Sequence, residues 1–212
     1  MTISSQPKQS ALHASDAAAW PGLHLDAREL TVMPFRYATL TGCFTPQAGE
    51  HVLRWFEHDA PWTSKQTDFY EQYEFSCWDS SSPVASYLTR RDVLDAVNTA
   101  MAEMFGCEFE SDVSVVCHKL VRGHRIGIHN DYLVEGETHR LTIQLNRGLA
   151  DSDGGFLMLF NSGDPSDVHR VLRPRHLSAL AFEISPDSFH AVSEMHGGAR
   201  YTIIYSLRAR RD

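Results

Sequence analysis

The sequence of 212 residues predicts a mainly β protein in which helices support one face of a jelly-roll or cupin-like core. Two observations carry this prediction. Before Gly106 the apolar residues recur at helical spacing, whereas after it they alternate with polar residues, as in half-buried strands. Turn residues separate several of these segments, and the "DSDGG" of residues 151–155 is a tight-turn signal, because glycine accepts the positive φ that such turns need.

Two helical patterns come first along the chain. One begins behind Thr45, a suitable N-cap, with Pro46 at the first helical position. The other begins at Pro83 behind Ser82 as its cap, and Gly106 is well placed to end it. Both patterns carry an apolar stripe, for which we expect a role in the core.

Short segments with strand character make up most of the remaining sequence. They are "FRYATLTG" before the helices and, after them, "VSVVCHKLV", "RIGIHND", "RLTIQLN", "GGFLMLF", "HLSALAFEI" and "ARYTIIYSL". The segment "QTDFYEQYEFSCWD" between the two helical patterns is aromatic and irregular, and it is compatible with either a strand or a loop.

The length of the chain suits a single domain. We predict a flexible tail over residues 1–20 and one domain over residues 21–212. Within that domain the helical support is expected at about 45–106 and the β core at about 110–208.

Charge and composition exclude several partners. Lys and Arg number 19 and Asp and Glu 27, so the chain is acidic, and without a basic stripe it is not expected to bind nucleic acid. No apolar run approaches the roughly 18 residues of a membrane span, and no secretory signal opens the chain. We therefore expect a cytoplasmic protein in which Cys43, Cys77, Cys107 and Cys117 are reduced thiols.

A histidine and an aspartate lie two residues apart in "HRIGIHNDYL". In a strand such residues share one face, so His129 and Asp131 would project together while Ile126 and Ile128 point the other way. Two ligands from one strand leave a divalent metal in need of a third. Non-haem Fe(II) prefers two histidines and one carboxylate, and His190, at a strand edge, is the candidate for the third position.

An arginine, Arg200, follows His190 ten residues later in the sequence. Arg200 and Thr202 share one face of the last strand. An arginine pointing into an apolar barrel is costly unless an anion pairs with it, and the guanidinium fork suits a carboxylate. The sequence therefore offers a metal triad together with a receptor for a dicarboxylate.

Each of these residues also has a plainer explanation. A second His-x-Asp, from His24 to Asp26, has no third partner nearby and is expected by chance in a chain with 12 histidines. His190 alone could be an ordinary buried histidine, and Arg200 alone a surface residue. The order and spacing of the whole set favour the functional interpretation.

From about Val113 to Leu207 the sequence resembles the Fe(II)- and 2-oxoglutarate-dependent dioxygenases, in particular their prolyl-hydroxylase-like branch. The resemblance rests on the His-x-Asp pair, the following "RLTIQLN", the "DGG" turn before "FLMLF", then "FHAV" and the final "GGARYT". It implies a double-stranded β-helix fold, with Fe(II) as cofactor and 2-oxoglutarate and O2 as cosubstrates.

Carried over residue by residue, the resemblance implies that His129, Asp131 and His190 bind Fe(II). Arg200 would hold the distal carboxylate of 2-oxoglutarate, and Thr202 could add a hydroxyl hydrogen bond. Because Asp131 keeps its carboxylate, hydroxylation or another oxidation is favoured over halogenation.

The sequence departs from the family at one position. Many relatives carry a tyrosine three residues before the glycine that precedes His-x-Asp, and here Leu120 stands there, before Gly123. The usual tyrosine bond to the cosubstrate is therefore in doubt, and Gln144 is a candidate substitute.

The implied reaction oxidises an unactivated C–H, typically to an alcohol, with release of succinate and CO2. A small chain without an attached recognition domain favours an amino-acid-like or natural-product metabolite as substrate. The alternative is a prolyl-type hydroxylase of peptide or protein side chains. An alternative of another class is a non-catalytic cupin-like protein that binds a metal or ligand. A homodimer is the oligomeric state considered for this chain.

The aromatic segment and one nearby cation are candidates for binding the substrate. The aromatic residues considered are Trp62, Phe69, Tyr70, Tyr73 and Trp78. They would form a lid or pocket wall, or else pack against the barrel. Arg125 shares the alternating face of His129 and would meet an acidic substrate group, or else be a solvated charge at a strand end.

Overall fold

The structure is a computed structural model in which residues 23–26 and 30–211 are described. The predicted tail over residues 1–20 lies outside this range. None of the helices in the described part of the chain is long and apolar enough to cross a membrane.

Three α-helices lie where the two helical patterns predict them: α1 (Pro46–His58), α2 (Pro83–Leu88) and α3 (Arg91–Phe105). As predicted, Thr45 caps α1, with its hydroxyl accepting from the backbone N–H of Ala48 at 3.3 Å.

The second helical pattern is divided between α2 and α3. The hydroxyl of Thr89 donates to the carbonyl oxygen of Ala85 at 2.9 Å, and such a local bond competes with continuation of the helix. Arg90 is extended and precedes α3 as its N-cap residue. Gly106 ends that helix in the left-handed conformation, with φ of 71°.

In the described part of the chain, twelve strands form two antiparallel sheets. The strands are β1 (Leu30–Thr31), β2 (Tyr37–Thr41), β3 (Thr63–Gln66), β4 (Glu71–Ser76), β5 (Ser114–Val121), β6 (Ile126–His129), β7 (His139–Leu145), β8 (Leu157–Phe160), β9 (Val168–Leu172), β10 (Ser178–Glu183), β11 (His190–Val192) and β12 (Ala199–Leu207). The major sheet has the order β1-β2-β10-β7-β12-β5-β4-β3, and the minor sheet the order β6-β11-β8-β9.

Each face of the major sheet contributes to a hydrophobic cluster. Its outer face packs on the helices, where Phe56 and Met101 meet Ile143 and Tyr205 in one buried cluster. Its inner face meets the minor sheet through a second cluster; the members used below are Leu120, Leu159, Phe182 and Val192. The chain is thus a double-stranded β-helix with helical support on one face, which confirms the predicted fold class.

The sequence did not reveal every strand. The aromatic segment contains β4, which forms a hairpin with β3, a strand that lies mostly before that segment. All four residues of β3 are exposed, and four of the five in β9 are exposed, so neither strand shows apolar alternation. These edge strands are held by backbone pairing to one neighbour each.

The "DSDGG" turn of residues 151–155 packs against the side chain of Arg200. Gly154 and Gly155 both have positive φ, at 73° and 70°. A Cβ at Gly155 would collide with the sulfur of Met195 and lie 3.3 Å from Cδ of Arg200. The two glycines therefore allow this turn to pack against the base of the Arg200 side chain.

We predict that Gly106→Ala lowers the free energy of unfolding by about 1 kcal/mol, because an L side chain is strained in the left-handed conformation. The space around Gly106 is open, so the change adds no steric clash. Gly106→Asn is the matched control and should lose less, since asparagine tolerates this conformation. Urea unfolding measures both, and an alanine variant as stable as the parent would contradict the assignment.

Candidate metal and cosubstrate site

Three predicted metal ligands converge at one end of the barrel. β11 pairs with β6 so that His190 lies directly opposite His129. The Nε2 atom of His129 is 3.6 Å from Oδ1 of Asp131, and that of His190 is 3.2 Å from Oδ2 of the same carboxylate. One ligand atom from each residue lies within 4.8 Å of the others. Among residues 23–26 and 30–211 no other such group occurs, and the pair His24–Asp26 stays apart from it.

His129 and Asp131 do not meet through the strand alternation that the sequence predicts. β6 ends at His129, and Asp131 reaches the site from a left-handed conformation with φ of 59°. The register between β6 and β11 also shifts, since Val192 pairs with Ile126. As a result Ile126 lines the same cavity as His129, and the prediction that it points to the opposite side is wrong.

Backbone carbonyls fix the orientation of both imidazoles. Nδ1 of His129 lies 2.9 Å from the carbonyl oxygen of Gly127, and Nδ1 of His190 lies 2.8 Å from that of Ser188. A carbonyl only accepts, so each Nδ1 carries the proton and each Nε2 presents a lone pair towards Asp131. Two oriented imidazoles and one carboxylate are the donor set that Fe(II) prefers, so these residues fit that metal.

The protonation states also suit a cation. Burial, reinforced by the nearby His190, lowers the pKa of His129 to about 4, so this ring is neutral at neutral pH. Burial opposes ionisation of Asp131, but the close contact with His190 and the charge of Arg140 outweigh it and hold the pKa of Asp131 below its usual range. Metal binding therefore requires no proton to leave His129 or Asp131 at neutral pH.

Arg140 is a site residue that the sequence analysis missed. Its Nη1 lies 2.5 Å from Oδ2 of Asp131. Glu137, at 3.0 Å, and the hydroxyl of Ser206, at 3.2 Å, hold the same guanidinium. The alternation of β7 places residue 140 on the same face as Gln144, and that alternation was a usable signal for its inward position.

Arg200 is the candidate for binding the cosubstrate. Its side chain is only 4% exposed, and its Nε has no hydrogen-bond partner. Burial lowers the pKa of Arg200 to about 10, and no carboxylate of a described residue offsets this. A buried guanidinium without a counter-charge is costly, so the site fits a ligand that brings a carboxylate.

Further donors surround Arg200 on the inner face of the major sheet. The hydroxyl of Thr202 donates to Oε1 of Gln144 at 3.1 Å, which leaves the buried Nε2 of Gln144 without a partner. Leu120 lies opposite Arg200 on β5 and belongs to the inner apolar cluster. The side chain at position 120 thus offers no polar contact.

A cavity of about 270 Å³ opens beside His129 and Asp131 of the metal triad. The predicted substrate residue Tyr70 lines it, beside Phe69, whose ring centroid lies 5.6 Å from that of His129. The backbone N–H of Gly127 donates to the carbonyl oxygen of Phe69 at 2.7 Å. The hairpin of β3 and β4 is thereby attached to the strand that carries the metal ligand.

The other predicted substrate residues do not line this cavity. Trp62 packs in the helix-side core, with its ring centroid 5.8 Å from that of Tyr201. Tyr73 lies on the outward face of β4, because odd positions of this strand point away from the barrel interior. Trp78 is 54% exposed beyond the end of β4, and Arg125 is exposed just before β6.

His118 also lines the cavity and was not singled out from the sequence. It lies on β5 within "VSVVCHKLV", where a polar residue on the inward face was the available signal.

Comparison with known proteins yields one sequence relative and many structural ones. No family model matches the chain. The chain is 33% identical over 98 residues to prolyl 3-hydroxylase OGFOD1 of Xenopus laevis. That match covers 45% of this chain and only 19% of the relative's length.

The similar solved structures cover most of the chain. A prolyl-4-hydroxylase of Pseudomonas putida superposes with a TM-score of 0.66 at 14% identity, covering 82% of this chain and 92% of its own. A prolyl hydroxylase of Trichoplax adhaerens, in complex with a hypoxia inducible factor peptide fragment, also has a TM-score of 0.66, at 12% identity and 81% and 83% coverage. A 2OG-Fe(II) oxygenase family protein of Burkholderia pseudomallei has a TM-score of 0.63, at 15% identity and 82% and 88% coverage. The chain therefore has the double-stranded β-helix fold of the 2-oxoglutarate- and Fe(II)-dependent oxygenases, as its resemblance to their prolyl-hydroxylase-like branch predicted.

Proposed function

We propose that this protein is an Fe(II)- and 2-oxoglutarate-dependent oxygenase that hydroxylates a prolyl residue within a peptide or protein. The observation that carries the proposal is the meeting of His129, Asp131 and His190 around one point, with both Nε2 atoms directed at the carboxylate. The unpaired, buried Arg200 supplies the partner for a dicarboxylate.

When bound, Fe(II) and 2-oxoglutarate supply the activation of O2, so that one oxygen atom enters a substrate C–H and the other enters succinate, with loss of CO2. The chain holds the reactants. His129, Asp131 and His190 would hold the metal, and Arg200 would orient the cosubstrate through its distal carboxylate. The apolar cluster between the sheets keeps bulk water from the interior.

The comparisons favour the prolyl-type alternative over the small metabolite expected from the size of the chain. The sequence relative is named a prolyl 3-hydroxylase, and one structural relative is in complex with a peptide. The surroundings of the cavity also support a longer substrate. Phe69 is 47% exposed, and Tyr132 and Leu133, directly after Asp131, are 43% and 72% exposed. These apolar side chains offer contacts beyond a single residue.

We expect His129→Ala and His190→Ala each to abolish the conversion of 2-oxoglutarate to succinate, because two ligands hold the metal too weakly. Succinate release with Fe(II) and O2 is the measurement. His58→Ala, at an exposed position on α1, is the control and should retain activity. A parent protein that forms no succinate with any substrate would support the non-catalytic binding alternative instead.

The peptide substrate is tested with a library of proline-containing peptides and with free L-proline. We expect a gain of one oxygen atom on prolyl residues of some peptides, and no comparable turnover of free proline, when products are analysed by mass spectrometry. Oxidation of free proline or another metabolite at higher kcat/KM than any peptide would restore the small-metabolite alternative.

Arg140 should act as a positioning residue for Asp131, because it bonds the carboxylate that faces the metal site. We expect Arg140→Gln to weaken Co(II) binding about tenfold or more, as loss of an outer contact to a ligand typically does. Absorption titration of Co(II) measures this without turnover. Arg147→Gln, a surface arginine paired with Glu57, is the control. Unchanged or tighter Co(II) binding by the Arg140 variant would show that this contact does not orient the ligand.

A further inference from the structure

A half-buried histidine, His118, lines the cavity beside the metal ligands His129 and Asp131. His118 lies on β5 directly opposite Thr202 of β12, and its ring lines the cavity that holds His129 and Asp131. Its side chain is 20% exposed. Burial has the largest influence on the pKa of His118, and the charges of Arg200 and Asp131 contribute as well.

Hydrogen bonds from β4 fix the tautomer of this ring. Nε2 of Gln72 lies 2.8 Å from Oε2 of Glu74, and a carboxylate only accepts, so this atom is the amide nitrogen. The same nitrogen lies 3.2 Å from Nε2 of His118, which must therefore accept. The proton of the neutral ring then resides on Nδ1. Lys65, whose Nζ is 2.6 Å from Glu74, helps to keep that carboxylate ionised.

The Nδ1 proton of His118 has no acceptor among residues 23–26 and 30–211. No hydrogen bond joins this atom to any residue in the described ranges, whereas Nε2 is engaged by Gln72. Burial lowers the pKa of His118 to about 4, so the ring is neutral and keeps a single donor at neutral pH. Because the ring lines the cavity, this donor is available to a ligand that can accept a hydrogen bond from it.

We propose that His118 donates from Nδ1 to the distal carboxylate of 2-oxoglutarate and so completes the set begun by Arg200 and Thr202. This inference rests on the proposed function. Position 120, opposite Arg200, holds leucine and contributes no polar group. His118 lies two residues before Leu120 on β5, so both side chains face the barrel interior. His118 would supply the donor that Leu120 lacks.

Three substitutions separate this role from a structural one. His118→Asn places an amide donor near the position of Nδ1, His118→Gln places one near Nε2, and His118→Leu removes the donor. We expect the glutamine and leucine variants to bind 2-oxoglutarate about 10- to 100-fold more weakly, the usual cost of a hydrogen bond to a charged group. The asparagine variant should stay within about threefold of the parent. His58→Leu, at an exposed position, is the control.

Calorimetric titration of Mn(II)-loaded protein with 2-oxoglutarate and with succinate makes the measurement independent of turnover. Succinate keeps the distal carboxylate, so both ligands should lose affinity by the same factor. Equal binding by all three variants, or a loss confined to 2-oxoglutarate, would overturn the assignment of His118. A parent protein that binds neither Mn(II) nor 2-oxoglutarate would instead overturn the proposed function itself.

Discussion

The pairing of β11 with β6 is the constraint on which the site depends. It places His190 opposite His129, and each residue then turns its Nδ1 to a carbonyl oxygen two residues earlier in its own strand region. A slip of one residue would send the His190 side chain to the other face of the minor sheet. The apolar residues around β11 oppose such a slip, since Ala191 and Val192 are buried. The same packing that closes the barrel therefore sets the distance between the two imidazoles.

The larger apolar core and the candidate site lie on opposite faces of the major sheet. The outer face of the major sheet and the helices form the larger apolar cluster, which contains no residue of the metal triad. The inner face combines a smaller apolar cluster with inward polar side chains such as Thr202, Gln144 and His118. Buried polar atoms without partners are costly, and two such donors in the described part of the chain, Nε of Arg200 and Nε2 of Gln144, lie on this inner face. Both donors suit an anionic ligand.

Sequence patterns predicted the parts of this molecule that obey a period or a motif. The α1 cap at Thr45, the alternation of β5, β7 and β12, and the meeting of His129 with His190 all follow from local rules or from a known motif order. The left-handed turn at Asp131 and the register shift beside Ile126 could not be predicted, because tertiary pairing decides them. Trp62 was predicted to line a pocket, but it packs against the helix-side core. An aromatic residue in the sequence is equally compatible with either position. Arg140 and His118 lie on correctly predicted strands, and only the inward direction of those strands reveals their roles.

The central claim is that three side chains bind one metal while Arg200 binds the far end of the cosubstrate. A crystal structure of the protein with Mn(II) and 2-oxoglutarate, with the metal located by its anomalous scattering, tests this most directly. The account predicts one metal peak within bonding distance of Nε2 of His129, Nε2 of His190 and an oxygen of Asp131, and the distal carboxylate of the ligand on the guanidinium of Arg200. A metal bound elsewhere, or a ligand whose carboxylate lies away from Arg200, would contradict it.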